Sequence, residues 1–139
     1  MLFPITYKET NGEDRTVYID PEAIVDIEDP AYNGSLTGVL NIWTAGGRQT
    51  PTVVMMNIEE MAGIIEDIYD NKLHKKCPFI YVAGNLYVNA RYVCAVEPGP
   101  TNPKDSVVSL SGSIVGFTIH DKPASDTVEQ INAVLESLE

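Results

Sequence analysis

His74 and His120 are the two histidines of this 139-residue chain, and acid–base or metal chemistry would be sought at them first. Neither stands at the spacing of a zinc motif. His74 lies among lysines and His120 beside Asp121, so one reads as part of a helix C-terminus and the other as a strand end. Cys77 and Cys94 show no C-x-x-C or Cys/His spacing. They read as reduced, buried thiols, and nothing in their placement requires or forbids a bond between them. Asp26, Glu28 and Asp29 could gather Ca²⁺ but lack the D-x-D-x-D-G loop. Asp20 and Asn89 each end a strand at a turn, where such side chains bond their own backbone. No serine or cysteine sits in a nucleophile elbow, and Gly46-Gly47 is a turn signal in a chain without a P-loop. The residues therefore predict no enzyme, no metal and no cofactor.

Binding chemistry is left. Nine Lys and Arg stand against twenty Asp and Glu, a net charge of −11, and such a surface repels phosphate backbones unless its cations are gathered. Lys72, His74, Lys75 and Lys76 form the one basic cluster. They follow an apolar helix stripe, where positive charge suits the helix dipole. Trp43, Arg48, His74, Lys75, Lys76 and Arg91 are the candidate partner-binding residues. Trp43 is out of phase with Ile42 along an alternating strand. Facing out, it marks a contact surface; facing in, it is core. The sequence leaves both open.

The elements that must position these residues come in a repeated order. Tyr18-Ile19-Asp20-Pro21-Glu22-Ala23-Ile24-Val25-Asp26-Ile27-Glu28 recurs in outline as Tyr87-Val88-Asn89-Ala90-Arg91-Tyr92-Val93-Cys94-Ala95-Val96-Glu97. Around the first copy, strands are predicted over 2–8, 15–20, 23–28, 36–44 and 50–56. A helix capped by Asn57 follows, with Ile58, Met61, Ala62, Ile65, Ile68 and Tyr69 on one face. Around the second copy, strands are predicted over 79–82, 86–89, 92–97, 106–110 and 113–119. A polar, exposed loop spans 98–105. Thr127 caps a closing helix whose stripe is Val128, Ile131, Val134, Leu135 and Leu138. The fold class is α+β, mainly antiparallel β. Two duplicated strand-rich units, 1–76 and 77–139, are each closed by one helix and share a core.

Two resemblances follow from these residues. Gly12 with Tyr18-Ile19-Asp20-Pro21-x-x-Ile24-x-x-Ile27-Glu28, a hairpin and a capped helix resembles the small FlbD/SwrD-like flagellar-associated proteins, here as a tandem repeat. The middle is similar to a LytTR DNA-binding domain. Thr44-x-Gly46-Gly47 precedes a strand and an apolar helix. Phe79-x-Tyr81-x-Ala83-Gly84-Asn85-x-Tyr87-Val88-Asn89-x-x-x-Val93 then keeps that family's Phe-x-Arg-x-His-Arg-Ser-x-Leu-Val-Asn-x-x-x-Ile spacing. Tyr81, Ala83 and Gly84 stand at the positions that face DNA in the family, where it carries Arg, His and Arg.

The lack of a catalytic constellation, the strand edges and the charge together predict a structural or interaction subunit of a bacterial or phage assembly. Its expected partner is protein, as a homo-oligomer or larger assembly, without nucleic acid or membrane insertion. The alternative is a LytTR-like DNA-binding transcriptional regulator with a degenerate basic surface. Met1-Leu2-Phe3-Pro4-Ile5 has neither the basic nor the apolar region of a signal peptide, so the expected location is cytoplasm or virion.

Overall fold

Alternating polar and apolar residues build the first hairpin. The computed structural model describes residues 1–46, 50–111 and 116–139. In β1 (Phe3–Lys8), Ile5 and Tyr7 turn inward. Its antiparallel partner β2 (Asp14–Ile19) buries Ile19. Gly12 closes the turn at φ +83, a conformation that costs a glycine nothing, and its N–H bonds the Glu9 carbonyl at 2.9 Å.

The chain then bends through one turn of 3₁₀ helix, Pro21–Ala23. Proline presets φ there, and the Asp20 carboxylate accepts from the Glu22 N–H at 3.0 Å. The second joint, Ala90–Tyr92, is built alike: the Asn89 side chain accepts from the Arg91 N–H at 3.1 Å. β3 (Ile24–Glu28) leaves the first joint with a bulge at Val25, and β8 (Val93–Pro98) leaves the second with a bulge at Cys94.

β4 (Val39–Thr44), β5 (Thr52–Met55), β6 (Phe79–Ala83) and β7 (Leu86–Asn89) join β3 in a five-stranded antiparallel sheet of order β5-β4-β3-β7-β6. Strands from both 1–76 and 77–139 thus share one sheet. β9 (Ser106–Leu110) and β10 (Phe117–Ile119) complete a three-stranded sheet of order β10-β9-β8.

Two apolar clusters hold these layers. α1 (Ile58–Ile68) starts where the Asn57 side chain accepts from the Glu59 N–H at 2.8 Å. Its stripe of Ile58, Met61, Ala62 and Ile65 joins Ile27, Leu40, Ile42, Val54, Phe79 and Tyr87 of the central sheet, with Ile5, Tyr7 and Ile19 of the first hairpin. The second cluster joins Val25, Val82, Leu86 and Val88 to Val108, Leu110 and Ile119. α2 (Ala124–Ser137) lies over β6, β8, β9 and the second joint. Among the described residues no helix is long and apolar enough to cross a membrane.

Several expectations need correction. α2 begins at Ala124, so Thr127 is inside the helix and not its cap. The Thr127 hydroxyl is fully buried and bonded to that of Ser106 at 2.8 Å. Val128 is 38 % exposed, because the helix rests on Thr127 and Ile131 and turns Val128 outward. The strand expected from Leu36 begins at Val39, since Thr37 and Gly38 are bonded to Asp29 instead of to a neighbouring strand. Cys94 is exposed, because β8 is an edge strand, and both cysteines are free. In the 98–105 loop Asp105 is buried, accepting from the Asp121 N–H at 2.9 Å. The strand expected over 113–119 is described only from Phe117.

Truncating Ile65, fully buried in α1, to alanine is expected to cost about 2–5 kcal/mol through lost burial and a residual cavity. Val128→Ala is expected to stay within about 0.5 kcal/mol. Urea unfolding of both variants checks the contrast.

Candidate nucleic-acid interface

β3 sets up two ends for the molecule. Its first residue follows the joints and its last leads into a loop, and its five residues span roughly 17 Å. β7 runs antiparallel to it, pairing Asp26 with Val88 and Glu28 with Leu86. The turn before β7 therefore sits beside the loop after β3.

That loop, 29–38, is a finger held by its own hydrogen bonds. The Asp29 carboxylate is fully buried and accepts from the N–H groups of Ala31 (2.9 Å), Thr37 (3.0 Å) and Gly38 (3.0 Å), and from the Thr37 hydroxyl (2.8 Å). Burial alone would push this carboxyl up, but the donors from Thr37, Ala31 and Gly38 outweigh it and hold the group below the usual aspartate range. Asp29 is also tied to the neighbouring turn. Its N–H bonds the Asn85 carbonyl and its carbonyl accepts from the Asn85 amide, both at 2.9 Å. At the tip, Tyr32 and Ser35 exchange backbone bonds of 2.8 and 2.9 Å. Tyr32 is 76 % exposed there, and Asn33 is exposed beside it at φ +50.

Beside the finger lies the Phe79–Val93 motif. Phe79 is core, stacked on Tyr87 with ring centroids 5.1 Å apart. Tyr81 is half-buried, its ring 4.7 Å from that of Tyr87 and its hydroxyl donating to the Ile58 carbonyl at 3.5 Å. Ala83 is half-buried and Gly84 exposed at the turn. Gln130 of α2 donates to the Tyr81 carbonyl at 2.7 Å and accepts from the Lys122 ammonium, so one half-buried cation lies close to β6.

The sequence-predicted residues gather at the other end. Lys75 pairs with Glu22 of the first joint at 3.0 Å. Arg91 is exposed on the second joint, and the joints are bonded together by the Asn89 amide on the Ile24 carbonyl (3.1 Å) and the Tyr92 hydroxyl on the Glu22 carbonyl (3.3 Å). Lys76 is exposed next to Lys75. His74 is exposed at φ +53, where it ends the π-helical turn Tyr69–Leu73, and the Lys75 N–H bonds the Tyr69 carbonyl behind it. Trp43 is half-buried and in register with Asp26 on the face away from Ile42, so it is neither a free surface anchor nor full core. Arg48 lies outside the described residues.

Among the described residues no three His, Cys, Asp or Glu side chains converge on a metal position. Cys77 is half-buried, and burial pushes its thiol up, away from nucleophilic character. The finger and Lys122 were missed in the sequence. Asp29-Pro30 and Asn33-Gly34 marked a loop but not its internal bonding, and Lys122 lies forty residues from the strand it serves.

The fold is that of a β-rich, antiparallel α+β domain, and comparison with solved structures places it among known ones. It matches the LytTr DNA-binding domain of a protein from Bacillus cereus with a TM-score of 0.53 and 14 % identity, over 95 % of each chain. By sequence, neither known protein families nor curated proteins give a match. The structural likeness overturns two expectations. The chain is not placed with structural subunits of a bacterial or phage assembly, and nucleic acid is not set aside as a partner. A net charge of −11 sums the whole surface and does not decide what the few groups at one end can contact.

Asp29→Ala removes four accepted bonds at once. The Thr37 and Gly38 amides are expected to exchange at least about tenfold faster with solvent in that variant, read by hydrogen exchange. A group held below its unfolded pKa stabilises above that value and loses its effect as pH falls. Protection of the same amides in the unaltered chain is therefore expected to drop below about pH 4.

Proposed function

We propose that this chain is a non-catalytic, LytTR-like DNA-binding domain of a transcriptional regulator, and that it meets duplex DNA with base-reading groups at the finger end of its central sheet and phosphate contacts at the joint end. One observation carries the reading. The stretch that keeps the LytTR spacing, Phe79 to Val93, falls on a strand–turn–strand unit inside a fold that matches a DNA-binding domain along nearly its whole length.

The motif's cationic positions are occupied by Tyr81, Ala83 and Gly84, so other groups at that end make the contacts. The Asn33 amide suits an adenine edge, and the Tyr32 hydroxyl and Lys122 ammonium suit phosphate oxygens. A finger already fixed by Asp29 has little entropy left to lose on docking. At the joint end, Lys75, Lys76 and Arg91 supply the positive field that holds a phosphate backbone against an acidic surface. With so few cations, the salt dependence is shallow for a DNA-binding protein.

The two stretches 1–76 and 77–139 are further read as tandem copies of one FlbD/SwrD-like unit. Support comes from the shared capped joints and from the bulges at Val25 and Cys94.

Fluorescence anisotropy on a labelled, mixed-sequence 30-base-pair duplex tests the proposal. Binding is expected at about 20 mM salt, with a log–log salt slope near −3 if three cations meet phosphate. The triple variant Lys75→Gln, Lys76→Gln, Arg91→Gln flattens that slope. Asn33→Ala with Lys122→Gln weakens binding to a selected sequence more than to the mixed pool. No binding at 20 mM salt sinks the reading.

A further inference from the structure

Asp26 is 1 % exposed, and its Oδ2 has no hydrogen-bond partner among the described residues. Three positions on, Asp29 is just as buried but accepts four bonds. Asp26 is inside because it lies on the face of β3 opposite Ile27, and the second cluster covers that face. It stands in register with Trp43 on β4 and Val88 on β7, while the bulge at Val25 keeps Ile24 with Ile27 in the first cluster. In the second copy the corresponding position is Ala95, which is exposed. The central sheet thus carries a carboxyl group, one oxygen of which is unpartnered among the described residues, into the seam where Val25 and Val88 meet Val108 and Leu110.

We propose that Asp26 is a pH-sensitive latch on that seam: with a neutral carboxyl the packing is closed, and its ionisation loosens the contacts around Trp43 and Val88. The inference does not depend on the DNA-binding reading. An apolar seam cannot solvate a carboxylate, and an unpaired buried charge costs several kcal/mol in general. The groups opposite, Trp43 and Val88, do not titrate, nor do Val108 and Leu110 of the facing sheet. The charged neighbour is Glu28 on the same strand, itself pushed up by burial, with the Asn41 amide bond acting against that and Asp29 adding to it. Burial first, and the Glu28 charge second, push the Asp26 carboxyl up to about 7. The raised value sets the sign. The neutral form stabilises the fold below the unfolded value near 4, and that contribution is lost as pH rises through about 7.

Trp43, the sole tryptophan, reports on the latch directly. In the full chain its emission is expected to shift sigmoidally with a midpoint near pH 7, and the unfolding equilibrium constant to rise by up to about a thousandfold between pH 4 and 7. Asp26→Asn, which keeps the shape without the charge, is expected to abolish the emission shift and flatten the stability profile. The same titration persisting in that variant, or a flat profile in the unaltered chain, overturns the proposal. If the variant fails to fold, the carboxyl ¹³C shift of Asp26 in the unaltered protein decides: a midpoint near 7 supports the latch, and one below 5 overturns it.

Discussion

Three residue pairs hold the halves of this molecule in one sheet: Asp26 with Val88, Ile27 with Tyr87, and Glu28 with Leu86. This short ladder covers the edge of β3, which would otherwise be left with a row of unpaired backbone groups. Side chains secure both its ends. The Asn89 amide bonds the Ile24 carbonyl at one end, and the Asn85 amide bonds the Asp29 carbonyl at the other. Because β3 is central, this pairing decides where the finger, the joints and both apolar clusters lie.

The two ends of that ladder differ in chemistry. At the joints, cations sit close to carboxylates, and Lys75 is already engaged with Glu22. At the finger, bonds to Asp29 set the backbone geometry, and the exposed side chains include Tyr32 and Asn33. Exposed ion pairs contribute little to stability and are easily exchanged for another partner, so the Lys75–Glu22 pair opens at small cost. A reading built on cations alone favours the joints, and one built on preorganised polar groups favours the finger.

Much of the fold was legible in the residues. The α1 stripe of Ile58, Met61, Ala62, Ile65, Ile68 and Tyr69 is buried throughout, because an eleven-residue amphipathic helix imposes its period clearly. The two joints were legible too, since an Asp or Asn before a turn has one nearby donor to bond. Long-range events were not. Thr127 looked like a cap because Ser/Thr near an apolar run usually is one, yet its hydroxyl answers Ser106, twenty-one residues earlier in sequence. Asp26 lies on the face of β3 opposite Ile27, and its burial depends on a second sheet far along the chain that covers that face. Of the candidate site, the LytTR spacing was visible in the residues, whereas the bonding of the 29–38 finger to Asp29 was not, because it joins groups eight and nine positions apart across a loop.

The β3–β7 ladder also bears on how the chain reaches its structure. Its partners are about sixty residues apart in sequence, whereas β1–β2 and β6–β7 are hairpins closed by short turns. Contacts that distant wait on loop closure, whose entropy must be met before the pairing gives anything back. During synthesis, the first 76 residues emerge with the β3 edge bare until β7 follows. The interval before that pairing is when the nascent chain is most exposed to pairing with the wrong strand.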